Sequence, residues 1–188
     1  MKILRCLVFV LLCVELAACS RAEETSWMEE VQLSNGRKIR VAQNILWRKT
    51  YSLTRGPVYR MGYAWISPDP QMPEPNIHPL DGMAEVAVLL DFDPQTNDFV
   101  LVTYPRTCER YESGGRPSPP YFEYRPEGET WSRVELSPSL IGRETNMVVV
   151  PDPAWKQDFV DLERKRHLRQ RLAPHLLKIT ADAKFGDC

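Results

Sequence analysis

An excess of charge of either sign is missing from this chain. Its 188 residues carry 24 Lys+Arg against 25 Asp+Glu, so no global positive field is available to gather duplex phosphates, and no acidic tail is set apart. Long hydrophobic runs are missing too. The most apolar stretch, Cys6 to Val14, has nine residues, less than half of the roughly 20 that a membrane-spanning helix needs. The 9 glycines are scattered, and no P-loop, dinucleotide glycine fingerprint, Gly-x-Ser-x-Gly elbow or Ser-x-x-Lys pair occurs. Only three histidines are present, His78, His167 and His175, and they share no spacing with one another or with a Cys-x-x-Cys pair, which excludes a zinc site built from sequence-local ligands.

Two acidic patterns invite chemistry and do not carry it. The run Asp91-Phe92-Asp93-Pro94-Gln95-Thr96-Asn97-Asp98 alternates side-chain oxygens, but a calcium loop would need Gly where Thr96 stands and Glu where Val102 stands. It reads instead as turn chemistry. Glu109 with Glu112, and Glu123 with Glu127, are expected as solvated ion pairs beside Arg110 and Arg125 on exposed strands. No catalytic residue, cofactor or metal is assigned.

What is present is clearest at the N-terminus. Lys2 and Arg5 precede the apolar run, and Glu15, Leu16, Ala17, Ala18 and Cys19 follow it, the charged, greasy, small-residue order of a secretory signal. The ending Leu16-Ala17-Ala18-Cys19 resembles the lipobox of bacterial lipoproteins. The resemblance implies cleavage before Cys19, acylation of its thiol, and a protein held on the bilayer by several acyl chains without spanning it. With Ser20, not Asp, after Cys19, it also implies the outer membrane, with the domain facing the periplasm. Residues 1–18 are then the signal peptide, 19–26 a short lipidated tether and 27–188 a single globular domain, in which the charges remain balanced. Removing Cys6 and Cys13 with the signal and committing Cys19 to lipid leaves Cys108 and Cys188 in an oxidising compartment, the pair one disulfide needs.

The domain is expected to be α+β, mainly β: an antiparallel sheet of about seven to nine strands, one C-terminal helix and Pro-rich loops. Val31 and Leu33, then Asn35-Gly36, then Ile39 and Val41 spell a hairpin. Tyr59, Met61, Tyr63 and Trp65 alternate along an extended segment, and Tyr59, Tyr63 and Trp65 are read as core or as a partner-binding face. All 16 prolines lie between Pro57 and Pro174, five of them from Ser67 to Pro79, which excludes helix and interior strand there. Glu85–Phe92 and Phe99–Tyr104 read as a hairpin covered on both faces. Ser113–Pro120 is a second Pro/Gly-rich loop, leading to strands over Tyr121–Arg125 and Thr130–Leu136. Further strands are expected at Met147–Val150 and His175–Ala183.

Asp152-Pro153 and Pro174 bracket one helix over Ala154–Ala173, with Trp155, Phe159 and Leu162 on a face that Arg166 and Arg169 continue. Arg164, Lys165, Arg166, Arg169 and Arg171 are candidates for binding anionic lipid, against the alternative that they complement the helix dipole. Together these features point to a membrane-anchored envelope lipoprotein serving as a non-enzymatic protein-interaction module, either an assembly factor or an immunity-type inhibitor. Loops 67–79 and 113–120 or the aromatic face would meet its envelope partner. The alternatives are a periplasmic hydrolase of cell wall or lipid, with dispersed carboxylates and His78, and an anionic-lipid-binding protein.

Overall fold

Alternation of apolar and polar residues around Asn35-Gly36 folds the described chain back on itself from its first residues. The computed structural model describes residues 22–52, 56–68, 84–93, 96, 98–128, 130–149, 158–186 and 188, with the backbone alone at 50–52, 56–65, 67 and 68. Strand β1 (Ala22–Gln32) pairs antiparallel with β2 (Lys38–Ser52) through the expected hairpin, and Gly36 at φ 83 supplies the left-handed turn residue. Thr25, Trp27, Glu29 and Val31 face inward, as do Ile39, Val41, Gln43, Ile45 and Trp47 opposite them. The strand is longer than its sequence suggests. Ala22 to Ser26, read above as part of the tether, are already paired with Asn44 to Arg48.

The single sheet expected from the sequence is two. β3 (Gly56–Pro68), β2, β1 and the two-residue β8 (Phe159–Val160) form one, in that order. β4 (Glu85–Asp93), β5 (Asp98–Pro105), β6 (Phe122–Glu127) and β7 (Thr130–Val134) form the other, an antiparallel meander. The fold is mainly β, with few helices. The two sheets share their core: Trp27, Ile45 and Trp47 of the first cluster with Val86, Val88, Val100 and Val102 of the second, and Val31, Val41 and Ile66 cluster with Ala87, Leu90 and Leu101. In β4 every residue from Glu85 to Asp91 is buried, so this hairpin is covered on both faces, as its unbroken apolar pattern predicts.

Three further expectations are corrected. Residues 147–149 form no strand. Instead Asn146 lies along the outer edge of β4 and imitates one: its amide nitrogen donates to the Leu90 carbonyl at 2.7 Å, its amide oxygen accepts from the Leu90 N–H at 2.9 Å, and its backbone N–H donates to the Val88 carbonyl at 3.0 Å. That contact closes a sheet edge. The segment from His175 opens with a single 3-10 turn and touches its neighbour through one isolated bridge between Glu144 and Lys178. The long helix is shorter than expected. α2 spans Leu162–Leu172, with the Asp161 carboxylate accepting from the Arg164 N–H at 2.8 Å as its N-cap, and Phe159 and Val160 are strand. The Asp152-Pro153 cap falls outside the described residues. A helix with no counterpart in the sequence reading, α1 (Cys108–Ser113), starts at a Thr107 cap.

Candidate functional site

Among the described residues, four carboxylates on the strands are buried: Glu29 on β1, Glu85 and Asp91 on β4, and Glu123 on β6. A buried carboxylate needs a cation and a full set of donors, and each of these has both. Glu29 meets Lys165 of α2 at 2.5 Å and accepts from the Val148 N–H and the Gln43 amide. Lys165, itself buried, also donates to the carbonyls of Glu30 and of Asn146, the latter at 2.8 Å. Burial pulls the Lys165 ammonium below the ordinary lysine range, with Glu29 opposing the shift.

Glu85 receives the Arg110 guanidinium of α1, the Thr103 hydroxyl and the Tyr124 hydroxyl, the last at 3.1 Å. Arg110 closes the ring by donating to the Tyr124 oxygen at 3.1 Å. Burial, and then the adjacent Glu85 charge, push the Tyr124 phenol well above its usual range. Asp91 pairs with Arg143 and accepts from the N–H groups of Ser34 and Phe92, both at 2.7 Å. Glu123 pairs with Arg125 at 2.6 Å and accepts from the Ser137 N–H at 2.7 Å, while Arg125 reaches Asp93 at 2.5 Å. The pairing of Arg110 and Arg125 with solvated neighbours is therefore corrected: Arg110 is turned inward to Glu85, and Glu123 is fully buried. Three of the four pairs tie a helix or loop to a strand.

The second constellation is the loop after α1. Cys108, at the start of the helix, is bonded to Cys188, with Cα atoms 5.5 Å apart and a sequence separation of 80. The helix ends in a Schellman turn, in which the Gly115 N–H donates to Glu112 and the Arg116 N–H to Tyr111 at 2.9 Å. Gly115 at φ 85 suits that turn, but Arg116 follows it at φ 52, where a side chain is rarely found. Gly114 is pressed on the ring of Phe122, whose centroid is 4.9 Å from the guanidinium carbon of Arg110 and 5.4 Å from that of Arg133. Ser113, Gly115, Arg116 and Ser118 remain exposed on this braced loop.

Known protein families, characterised proteins and solved structures were compared with this chain, and none matches. The remaining sequence candidates are placed by geometry alone. Cys19 and His78 lie outside the described residues. Tyr59, Tyr63 and Trp65 stand opposite Lys49, Leu46 and Asn44 in the ladder, and a register shift between Leu46 and Trp47 interrupts the alternation between Tyr63 and Met61; their side chains also lie outside the description. Of the five basic candidates on α2, Lys165 is buried and Arg169 is turned to the Thr145 hydroxyl at 2.6 Å and the Leu177 carbonyl at 3.1 Å. Arg164, Arg166 and Arg171 are exposed. The buried stripe is thus Lys165 and Leu168, with Leu172 half-buried, and not the face drawn through Phe159 and Arg166. Among the described residues no His, Cys, Asp and Glu side chains gather in a way that holds a metal, and no helix is long and apolar enough to cross a membrane.

Proposed function

We propose that the protein is a non-enzymatic interaction module tethered to the bacterial outer membrane through acylated Cys19, and that the loop over residues 113–120 is where it meets an envelope partner. One observation carries this reading: an exposed loop with a non-glycine residue at φ 52 is anchored at its N-terminal root by the Cys108–Cys188 bond, the Arg110–Glu85 pair and the contact of Gly114 with Phe122. Backbone held in a sparsely populated region is concentrated at recognition and catalytic sites. A loop already ordered before binding loses little conformational entropy in the complex. The titratable groups support binding over hydrolysis, because among the described residues each of the four buried carboxylates is occupied by a structural cation. Tethering adds affinity by confining the domain to the layer where its partner sits.

The test is in-cell photocrosslinking from Arg116 and from Ser118. A discrete adduct from both positions, absent from Lys38 on the first hairpin and lost when Gly115→Val disrupts the loop, is the expected result. Adducts that ignore the loop mutation, or that form equally from Lys38, overturn the assignment.

A further inference from the structure

α2 divides its cations into two groups. Lys165 and Arg169 are consumed inside the fold, whereas the guanidiniums of Arg164, Arg166 and Arg171 are exposed and, among the described residues, meet no carboxylate. At 100° per residue Arg164, His167 and Arg171 fall within about 60° of one another, a straight stripe along one side of the helix. No acid lies in it. Glu163, one turn before His167 and about 40° from it around the helix, borders the stripe at its N-terminal end. The other nearby acids sit at its N-terminal end, where Asp161 caps the helix and Glu30 accepts from the Leu162 N–H at 3.4 Å.

We propose that this stripe docks the domain on an anionic bilayer surface. The exposed residues of α2 are Glu163, Arg164, Arg166, His167, Gln170 and Arg171, with no aromatic or aliphatic side chain of the kind that anchors a protein interface. A row of guanidiniums without a pocket suits a flat field of headgroup phosphates, whose attraction adds up charge by charge. The orientation, though not the docking itself, rests on the tethered reading. β1 runs about 26 Å from Ala22 to Glu30, where it meets the start of α2, and the three-residue step from Cys19 to Ala22 can span at most about 11 Å. With β1 lying along the bilayer, anchor and stripe share one plane.

The full chain, carrying a fluorescent amino acid at His167, is bound to vesicles whose headgroups bear a nitroxide quencher. Measuring the probe's proximity to the headgroups, not partition, keeps the N-terminal apolar run from deciding the result. In vesicles of three parts phosphatidylglycerol to seven of phosphatidylethanolamine the probe is quenched, and 1 M salt, with a screening length of about 3 Å, relieves the quenching. Arg164→Gln/Arg171→Gln lowers the docked-to-undocked ratio about 30-fold, at about 1 kcal/mol per basic residue. Equal quenching in phosphatidylcholine vesicles, equal quenching in the double variant, or none in anionic vesicles each overturns the proposal. Protection of the probe that requires an added envelope extract and not anionic lipid also overturns it, assigning the stripe to a protein; loop crosslinking reports separately on the partner surface.

Discussion

Replacing Arg110 by Met should unfold much of what surrounds α1, and the reason is the charge left behind. Glu85 is fully buried, and after the substitution it keeps only the hydroxyls of Thr103 and Tyr124 as donors. Removing one partner of a buried ion pair costs about 3 to 5 kcal/mol, a large part of the 5 to 15 kcal/mol typical of a whole domain. At about 2 to 4 °C per kcal/mol for a chain of this length, the melting temperature falls by roughly 6 to 20 °C. Glu85→Leu alone leaves the Arg110 guanidinium buried on the Tyr124 oxygen and costs a similar amount. The double variant removes both charges at once. What remains is two hydroxyls without their acceptor, at about 1 to 3 kcal/mol each before they find other partners. It should therefore be less damaged than the two single losses added together, by 2 kcal/mol or more. Urea unfolding of the four proteins, followed by circular dichroism, measures that coupling. Additivity within about 0.5 kcal/mol, the behaviour of independent sites, would refute the claim that these groups form one network.

Gly114→Ala should destabilise by about 1 to 3 kcal/mol through overpacking, because its Cβ would lie 2.4 and 2.5 Å from the Phe122 ring atoms Cζ and Cε1; adding Phe122→Leu should recover part of the loss in a thermal melt. Removing the disulfide with Cys108→Ser/Cys188→Ser should cost up to about 4 to 5 kcal/mol for the loop it closes, and wild type unfolded in reductant should then match the double variant. Stability should fall as pH rises through about 10, since Tyr104, Tyr121 and above all Tyr124 hold their protons more tightly folded than unfolded. The native state binds more protons there, so each such phenol removes up to 1.36 kcal/mol per pH unit between its unfolded and folded values. Tyr124→Phe should flatten the alkaline limb of a stability-versus-pH curve, and an unchanged slope would count against burial of that phenol.

The hairpins were legible because their signals are local. Asn35-Gly36 between alternating residues specifies a turn and its two strands within about ten residues, and the short apolar run at Glu85–Phe92, bounded by turn residues, reads as a strand covered on both sides. The disulfide followed from counting thiols. The partition into two sheets was not legible, since alternation states which way a residue faces and not which sheet its strand joins. Asn146 shows the same limit at a single position: an amide side chain standing in for a strand at the edge of β4 leaves no periodic trace. The helix was placed too early because an Asp-Pro pair at 152 and 153 and an Asp at 161 are equally good caps, and the pairing of Phe159 and Val160 with β1 decides between them.

The buried charges could have been found in part. The inward alternation Thr25, Trp27, Glu29, Val31 puts Glu29 on the core face as firmly as it puts Trp27 there, and Val41, Gln43, Ile45 does the same for Gln43. A polar residue in register with a hydrophobic face demands a partner, and sequence can state the demand without naming what meets it. The cations come from α1, α2 and the segment before β8, 25 to 136 residues away except for Arg125 beside Glu123. Reading Arg110 and Lys165 as surface charge therefore failed for one physical reason. Local charge density measures how many cations a segment has, and the fold decides how many of them are spent indoors. On α2 that division is what separates Lys165 and Arg169, which hold the domain together, from Arg164, Arg166 and Arg171, which are left over to act outside it.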